Sequence, residues 1–318
     1  SSLATAATLG KVAMPEMKKY KYDMALATGS VAAGGSIGIL IPPSVILIIY
    51  GIITEQSIGK LFLAGFIPGL LEALFYIITI MILTRINPAL GPRGPRATMK
   101  ERVGSLLSVW EVVVLFVVVI GGIYLGVFTP TEAAGVGAFG TFCFAILRKK
   151  LTWSTFGSSL LQTCQTTGML FMVVLGAMIL GYFFSVSRLP FELASWVGGL
   201  EVNRYVVLIL VLVAVGILGC LMDSMAIVLL TVPVFYPLIQ NLGFDPIWFG
   251  ILVVRVTEMG LITPPVGLNV YIIHGITGEP MGTIFKGVVP FIIADILEIM
   301  LLIAIPELTL FLPGLMAG

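Results

Sequence analysis

The sequence predicts an all-α polytopic membrane protein: an inverted repeat with re-entrant helical hairpins and transmembrane helices broken at Pro-Pro pairs. Three observations lead there. Hydrophobic residues make up 58% of the 318 and charged residues only 10%, against about 25% charge in a soluble domain. Mean hydropathy is +1.12, which leaves no room for a soluble domain of any size. Finally, one unit occurs twice in an ungapped register. Ser1-Ser2 runs forward to Gly38-Ile39-Leu40-Ile41-Pro42-Pro43, and Asp223-Ser224 runs forward to Gly260-Leu261-Ile262-Thr263-Pro264-Pro265. The offset is 222 at both ends (223 − 1 and 264 − 42). Ala4/Ala226, Val12/Val234, Pro15/Pro237, Asp23/Asp245 and Val31/Val253 coincide between them. Paired helix interruptions in matching positions of two halves are the strongest sequence pointer to the binding site of a secondary transporter.

Composition also narrows the chemistry. Net charge is +1, with no basic, aromatic-interleaved stripe to suggest nucleic acid. Cys143, Cys164 and Cys220 lie in apolar runs and give neither a disulfide framework nor a metal spacing. His274 is the only histidine, which removes most zinc and triad chemistry. The opening Ser1-Ser2-Leu3-Ala4-Thr5 is neither a start methionine nor a basic leader, so the chain reads as a piece of a longer protein.

A span needs about 20 apolar residues. The spacing predicts spans over 25–53 (broken at Pro42-Pro43), 61–84, 109–127, 131–147, 168–186, 247–275 (broken at Pro264-Pro265) and 284–305. Residues 3–20 read as the return arm of a first re-entrant hairpin, and 203–220 with 225–240 as a second. Cytoplasmic flanks collect Lys and Arg. Lys11, Lys18, Lys19 and Lys21, then Arg85, Arg93, Arg96, Lys100 and Arg102, then Arg148-Lys149-Lys150 all fall on one face by this count of crossings. Residues 152–166 read as an amphipathic helix along the interface. The end of the second hairpin, Gln240 to Asp245, has no Lys or Arg where the first has three, Lys18, Lys19 and Lys21. The two copies thus face opposite ways. Four regions result: 1–84, the first-repeat transport half; 85–105, a basic cytoplasmic linker rich in Pro and Gly; 106–186, scaffold helices with the interfacial arm; and 187–318, the second-repeat transport half.

A backbone that leaves helix inside the bilayer must be buried in protein or line a watery cavity. Pro42-Pro43 removes two N–H donors and frees carbonyls a turn earlier. The glycines of Gly34-Gly35-Ser36-Ile37-Gly38 let the backbone approach a neighbour. The half-helix end carries partial negative charge suited to a cation, and the opposed half-helix start offers N–H groups to an anion. The second copy repeats this with Gly260, Thr263, Pro264-Pro265, Gly267 and Asn269. Hard cations favour such oxygens. The candidate Na⁺ residues are therefore Ser2, Gly34, Gly38, Pro42, Asp223, Gly260, Thr263 and Asn269.

Each feature also has a plainer reading. A Pro-Pro pair can be a simple kink. Asp223 costs roughly 2.5–3.5 kcal/mol at mid-membrane by insertion scales, and it can serve only as an N-cap. Ser1, Ser2 and Ser224 can merely cap. Arg255 and Glu258, three apart on one helical face, read as neutralising one another. His274 reads as a helix-end residue. Thr129-Pro130-Thr131-Glu132 reads as a turn with Thr131 capping the next helix.

The Ser-Ser-Leu-Ala-Thr-Ala-Ala start, Gly-Ile-Leu-Ile-Pro-Pro-Ser at 38–44, Gln-Ser-Ile-Gly-Lys-Leu-Phe at 56–62, Thr-Pro-Thr-Glu-Ala-Ala at 129–134, Met-Asp-Ser at 222–224 and Gly-Leu-Ile-Thr-Pro-Pro-Val-Gly-Leu-Asn at 260–269 carry a resemblance over nearly the whole chain. It resembles the large membrane subunit of TRAP (tripartite ATP-independent periplasmic) transporters, the dicarboxylate-type permease family. The resemblance implies a Na⁺-coupled, elevator-type importer in a bacterial or archaeal inner membrane, and no enzyme. It implies a small membrane (Q) subunit, separate or fused, and a periplasmic substrate-binding protein that delivers a small organic anion. By position, Ser1, Ser2, Ser44, Asp223 and Ser224 would contact substrate. Family members extend upstream by several membrane segments, including the descending arm of the first hairpin.

Two other readings compete. One is a single-component Na⁺/dicarboxylate symporter or Na⁺/H⁺ exchanger of related inverted-repeat fold. The other is an intramembrane hydrolase using Asp223, which lacks a second aspartate in a Gly-x-Gly-Asp context and any Ser/His pair in reach.

Overall fold

The structure, a computed structural model, describes residues 2–92, 94, 98–107, 109–188, 192 and 202–315. All regular structure among them is helical. In chain order the helices are α1 (Ser2–Lys19), α2 (Met24–Gly34), α3 (Val45–Thr54), α4 (Ile58–Ile86), α5 (Met99–Leu107), α6 (Trp110–Tyr124), α7 (Pro130–Leu147), α8 (Trp153–Ser187), α9 (Arg204–Gly219), α10 (Ser224–Asn241), α11 (Pro246–Ile262), α12 (Leu268–Thr277), α13 (Met281–Ala304) and α14 (Glu307–Leu315). Short 3₁₀ turns cover Ile37–Ile39 and Pro88–Leu90.

The repeat read from the sequence recurs in these bounds. Helices α1 and α10 begin at Ser2 and Ser224 and end at Lys19 and Asn241, 222 apart at both ends. Helices α2 and α11 are each started by an aspartate. Asp23 Oδ1 accepts from Leu26 N at 3.0 Å, and Asp245 Oδ1 accepts from Ile247 N and Trp248 N at 2.8 and 3.0 Å. Such a cap satisfies N–H groups that have no intrahelical partner. Helices α3 and α12 are ten residues each. The copies also interlock, since α1 packs on α12 and α10 packs on α3. The hairpin arm of each copy thus rests on the second half-helix of the other.

Two compact units are present. One comprises Ser1–Arg93 with Leu180–Gly318, the other Gly94–Ile179. The first holds both repeats and a core that includes Ala27, Ala33, Ile273, Val288 and Phe291. In the second, α6 pairs with α7, Trp110 meets the Phe144 edge at 5.4 Å, and Arg148 pairs with Glu111. Large apolar side chains such as Val117, Phe139 and Met172 face outward.

Five described helices are long and apolar enough to cross a membrane: α4, α7, α8, α10 and α13. The bent pair α5–α6 makes a sixth. The chain is a multi-pass membrane protein. Neither half of the two Pro-Pro-broken segments is long enough to cross alone; α2 and α3 have 11 and 10 residues, α11 and α12 have 17 and 10.

Two expectations are corrected. Residues 152–166 do not form a separate interfacial helix, because α8 runs unbroken from 153 to 187. No proline interrupts it, and its hydroxyls bond back along the helix, Ser159 Oγ to Thr155 O and Thr163 Oγ1 to Ser159 O. The cap of α7 is Thr129, not Thr131. Thr129 and Glu132 form a reciprocal capping box around Pro130, a residue suited to the first helical position.

Candidate functional site

The two helix breaks lie where the proline pairs stand. Helix α2 ends at Gly34, and beyond the turn at 37–39 regular helix resumes only after Ser44, whose Oγ accepts from Leu47 N at 3.3 Å. In the second copy α11 ends at Ile262 and Thr263 is extended, with φ −92 and ψ 139. Gly267 then takes φ 61 and ψ 73, a left-handed conformation that favours glycine. Both proline pairs are joined by cis peptide bonds.

Breaking α2 frees one carbonyl in particular. In a continued helix Ser36 N would donate to Ala32 O; instead it donates to Ala33 O at 3.0 Å. The Ala32 carbonyl accepts from Asn269 Nδ2 at 3.2 Å. Both residues are fully buried. The first half-helix end of one copy is thereby tied to the second half-helix start of the other. Among the described residues, Asn269 Oδ1 is buried without a hydrogen-bond partner, an arrangement that costs about 1–3 kcal/mol unless something else satisfies the oxygen.

Each break also lies under a hairpin of its own copy. Thr5 of α1 lies beside Gly38, its Oγ1 3.5 Å from where a Cβ would stand, and Ala6 presses on Gly35. In the second copy a Cβ on Gly260 would stand 2.5 Å from the Gly219 carbonyl carbon of α9. No side chain fits between those two backbones.

The sequence-predicted residues fall unevenly around this arrangement. Ser1 lies outside the described residues. Ser2 is buried at the start of α1. Gly34 ends α2, Gly38 sits exposed in the 3₁₀ turn, Pro42 is buried in the break and Ser44 caps α3. Thr263 Oγ1 donates to Met259 O at 2.6 Å, which leaves its lone pairs free. Asp223 caps α10, its Oδ1 accepting from Met225 N at 2.9 Å and Ala226 N at 3.3 Å, and Ser224 is buried one residue later. Among the described residues, no hydrogen bond joins Asp223 or Ser224 to either break. His274 is in the last turn of α12, with Nδ1 2.8 Å from Glu279 O.

The oxygens offered are carbonyl, hydroxyl and carboxamide, and among the described residues no three His, Cys, Asp or Glu side chains converge as metal ligands. That donor set fits a hard monovalent cation better than a transition metal.

One group was missed. Arg255 pairs with Glu258 as expected, Nη1 to Oε2 at 3.3 Å, but three further carboxylates join them. Glu72 of α4 is 3.3 Å from Nη1, Asp295 of α13 is 2.7 Å from Nη2, and Glu298 is 2.8 Å from Nη2 and 3.1 Å from Nε. All five are at most 1% exposed. The signal was present in the sequence, since ionisable residues inside apolar spans mark function or buried pairing, and Asp295 and Glu298 share a helical face.

The chain matches, over residues 1–308, the family described as tripartite ATP-independent periplasmic transporter, DctM component. The chain belongs to this TRAP transporter family. Three relatives illustrate the match. The chain is 36% identical over 315 residues to the C4-dicarboxylate TRAP transporter large permease protein of Pseudomonas aeruginosa, covering 99% of this chain and 73% of that protein. It is 34% identical over 323 residues to the sialic acid TRAP transporter large permease protein of Vibrio cholerae, covering 100% and 74%. It is 32% identical over 310 residues to the 2,3-diketo-L-gulonate TRAP transporter large permease protein of Escherichia coli, covering 97% and 72%. In this TRAP family chain, the Gly-Leu-Ile-Thr-Pro-Pro-Val-Gly-Leu-Asn stretch links to the first copy through Asn269, alongside the contact of Tyr236 Oη with Thr54 O at 3.3 Å.

Proposed function

We propose that this chain is the permease component of a Na⁺-coupled TRAP transporter that imports a small organic anion, a carboxylate, handed over by a periplasmic binding protein. The observation that carries the reading is the Asn269–Ala32 link, where two broken helices from symmetry-related copies meet in a buried site with an unsatisfied carboxamide oxygen. Carboxylate cargo is in keeping with the C4-dicarboxylate and sialic acid transporters among its relatives. A small membrane subunit acts alongside, in the inner membrane of a bacterium or archaeon.

The chain's own residues do most of the work in this reading. The Ala32, Gly34, Gly38 and Pro42 carbonyls of the first break, and the Gly260, Thr263 and Asn269 oxygens of the second, would hold Na⁺. The serines Ser1, Ser2, Ser44 and Ser224, with Asp223, would line the path of the substrate at the hairpin tips. Bound Na⁺ would supply the positive charge that lets a carboxylate enter an apolar interior. Both repeats would move as one elevator body.

Uptake into vesicles, with and without a binding protein and across a Na⁺ gradient, tests this. Uptake requiring both agrees with the proposal. Uptake independent of any binding protein would replace it with a single-component symporter.

A further inference from the structure

The buried cluster around Arg255 holds more acid than one guanidinium can neutralise. Asp295 and Glu298 occupy Nε and Nη2 with contacts of 2.7–3.1 Å. Glu72 and Glu258 are both left at 3.3 Å on Nη1. Among the described residues, one oxygen on each of the four carboxyls is buried without a hydrogen-bond partner. Three uncompensated charges here would each cost several kcal/mol in desolvation, and a buried carboxyl avoids that cost by taking up a proton.

The hydroxyl of Ser36 says which one. Its Oγ is 2.6 Å from Ala33 O and 3.2 Å from Glu72 Oε1, and a serine has a single hydroxyl proton. With that proton on the shorter contact to Ala33, the 3.2 Å contact closes when Glu72 is the donor. We infer that the Glu72 carboxyl is a proton-binding site: it holds a buried proton, donates it toward Ser36 Oγ and so fixes the backbone of the first helix break. The groups facing it are Tyr76 on its own helix, Arg255 and Glu258 from α11, Asp295 and Glu298 from α13, and Ser36 from the break. Loss of the proton turns Glu72 into an acceptor that competes with Ala33 O for the Ser36 hydroxyl. The Ala33 carbonyl, next to the one held by Asn269, then loses the hydroxyl and keeps its backbone donor Ser36 N. This assignment stands apart from Na⁺ coupling and holds whether or not that reading does.

Infrared difference spectroscopy of the complete permease tests it. The wild type is expected to give the C=O stretch of a protonated carboxyl at neutral pH, lost in Glu72→Gln and shifted in Ser36→Ala. Glu72→Gln, which mimics the protonated acid, is expected to keep Tm within about 2 °C of wild type, whereas Glu298→Gln lowers it by roughly 6 °C or more, since it removes a charged partner of Arg255. A band unchanged in Glu72→Gln, a band that Na⁺ abolishes, or a Tm loss in Glu72→Gln equal to that of Glu298→Gln overturns the inference.

Discussion

Asn269 Nδ2 donates to the Ala32 carbonyl at 3.2 Å, joining residues 237 positions apart, and both are fully buried. Ala32 is the carbonyl released when Ser36 N turns to Ala33 instead. One side chain thus covers a vacated backbone acceptor in the other repeat and leaves its own oxygen facing inward. Asn269→Leu strands that carbonyl, and its expected cost is about 1–3 kcal/mol, read as a lowered Tm of the complete permease. An unchanged Tm would mean that the contact does not hold the breaks together.

Asp223 separates capping from ligation. Its carboxylate accepts from two backbone N–H groups at the start of α10, so Asp223→Ala is expected to cost about 1 kcal/mol through the cap and to weaken Na⁺-dependent uptake. Asp223→Asn restores the cap but not the charge. Recovered Tm with uptake still impaired at limiting Na⁺ supports a role in the cation site; full recovery of both reduces Asp223 to a cap.

Gly260 leaves no room for a side chain. With Gly219 backbone 2.5 Å from the position of a Cβ, Gly260→Ala forces α9 and α11 apart, at an expected 1–3 kcal/mol or more. Gly275→Ala, on α12 with open space around it, is the control and is expected to leave Tm unchanged.

Arg255 serves the carboxylates as a planar fork, through Nε, Nη1 and Nη2 at once. Arg255→Lys keeps the charge and loses that geometry. The expected outcome is a marked fall in folded yield and Tm, comparable with the roughly 3–5 kcal/mol of breaking a buried pair. A stable Arg255→Lys protein would show that charge alone suffices.

Much of the fold was legible because its signals are local. Asp23 and Asp245 start their helices within three residues of the groups they cap, and Pro42-Pro43 and Pro264-Pro265 stand in the non-helical stretches between α2 and α3 and between α11 and α12. The repeat made each reading reinforce the other. What stayed hidden depends on distant partners. Glu72 finds Arg255 only when α4 packs on α11, and spacing along one helix reveals no more than the Arg255–Glu258 pair. The continuity of α8 was missed because Ser and Thr look polar in sequence, although their hydroxyls are satisfied on the same helix. The start of α7 was placed two residues late because Thr129 and Thr131 both flank Pro130, and only the reciprocal Glu132 contact distinguishes them.

The most direct measurement is calorimetric titration of the complete permease with Na⁺, comparing the wild type with Asn269→Ala. The account predicts saturable binding in the wild type and a Kd raised about tenfold or more in the variant, the equivalent of one lost oxygen contact. Identical Na⁺ affinity in the two proteins would contradict the claim that the junction of the broken helices is where the cation is held.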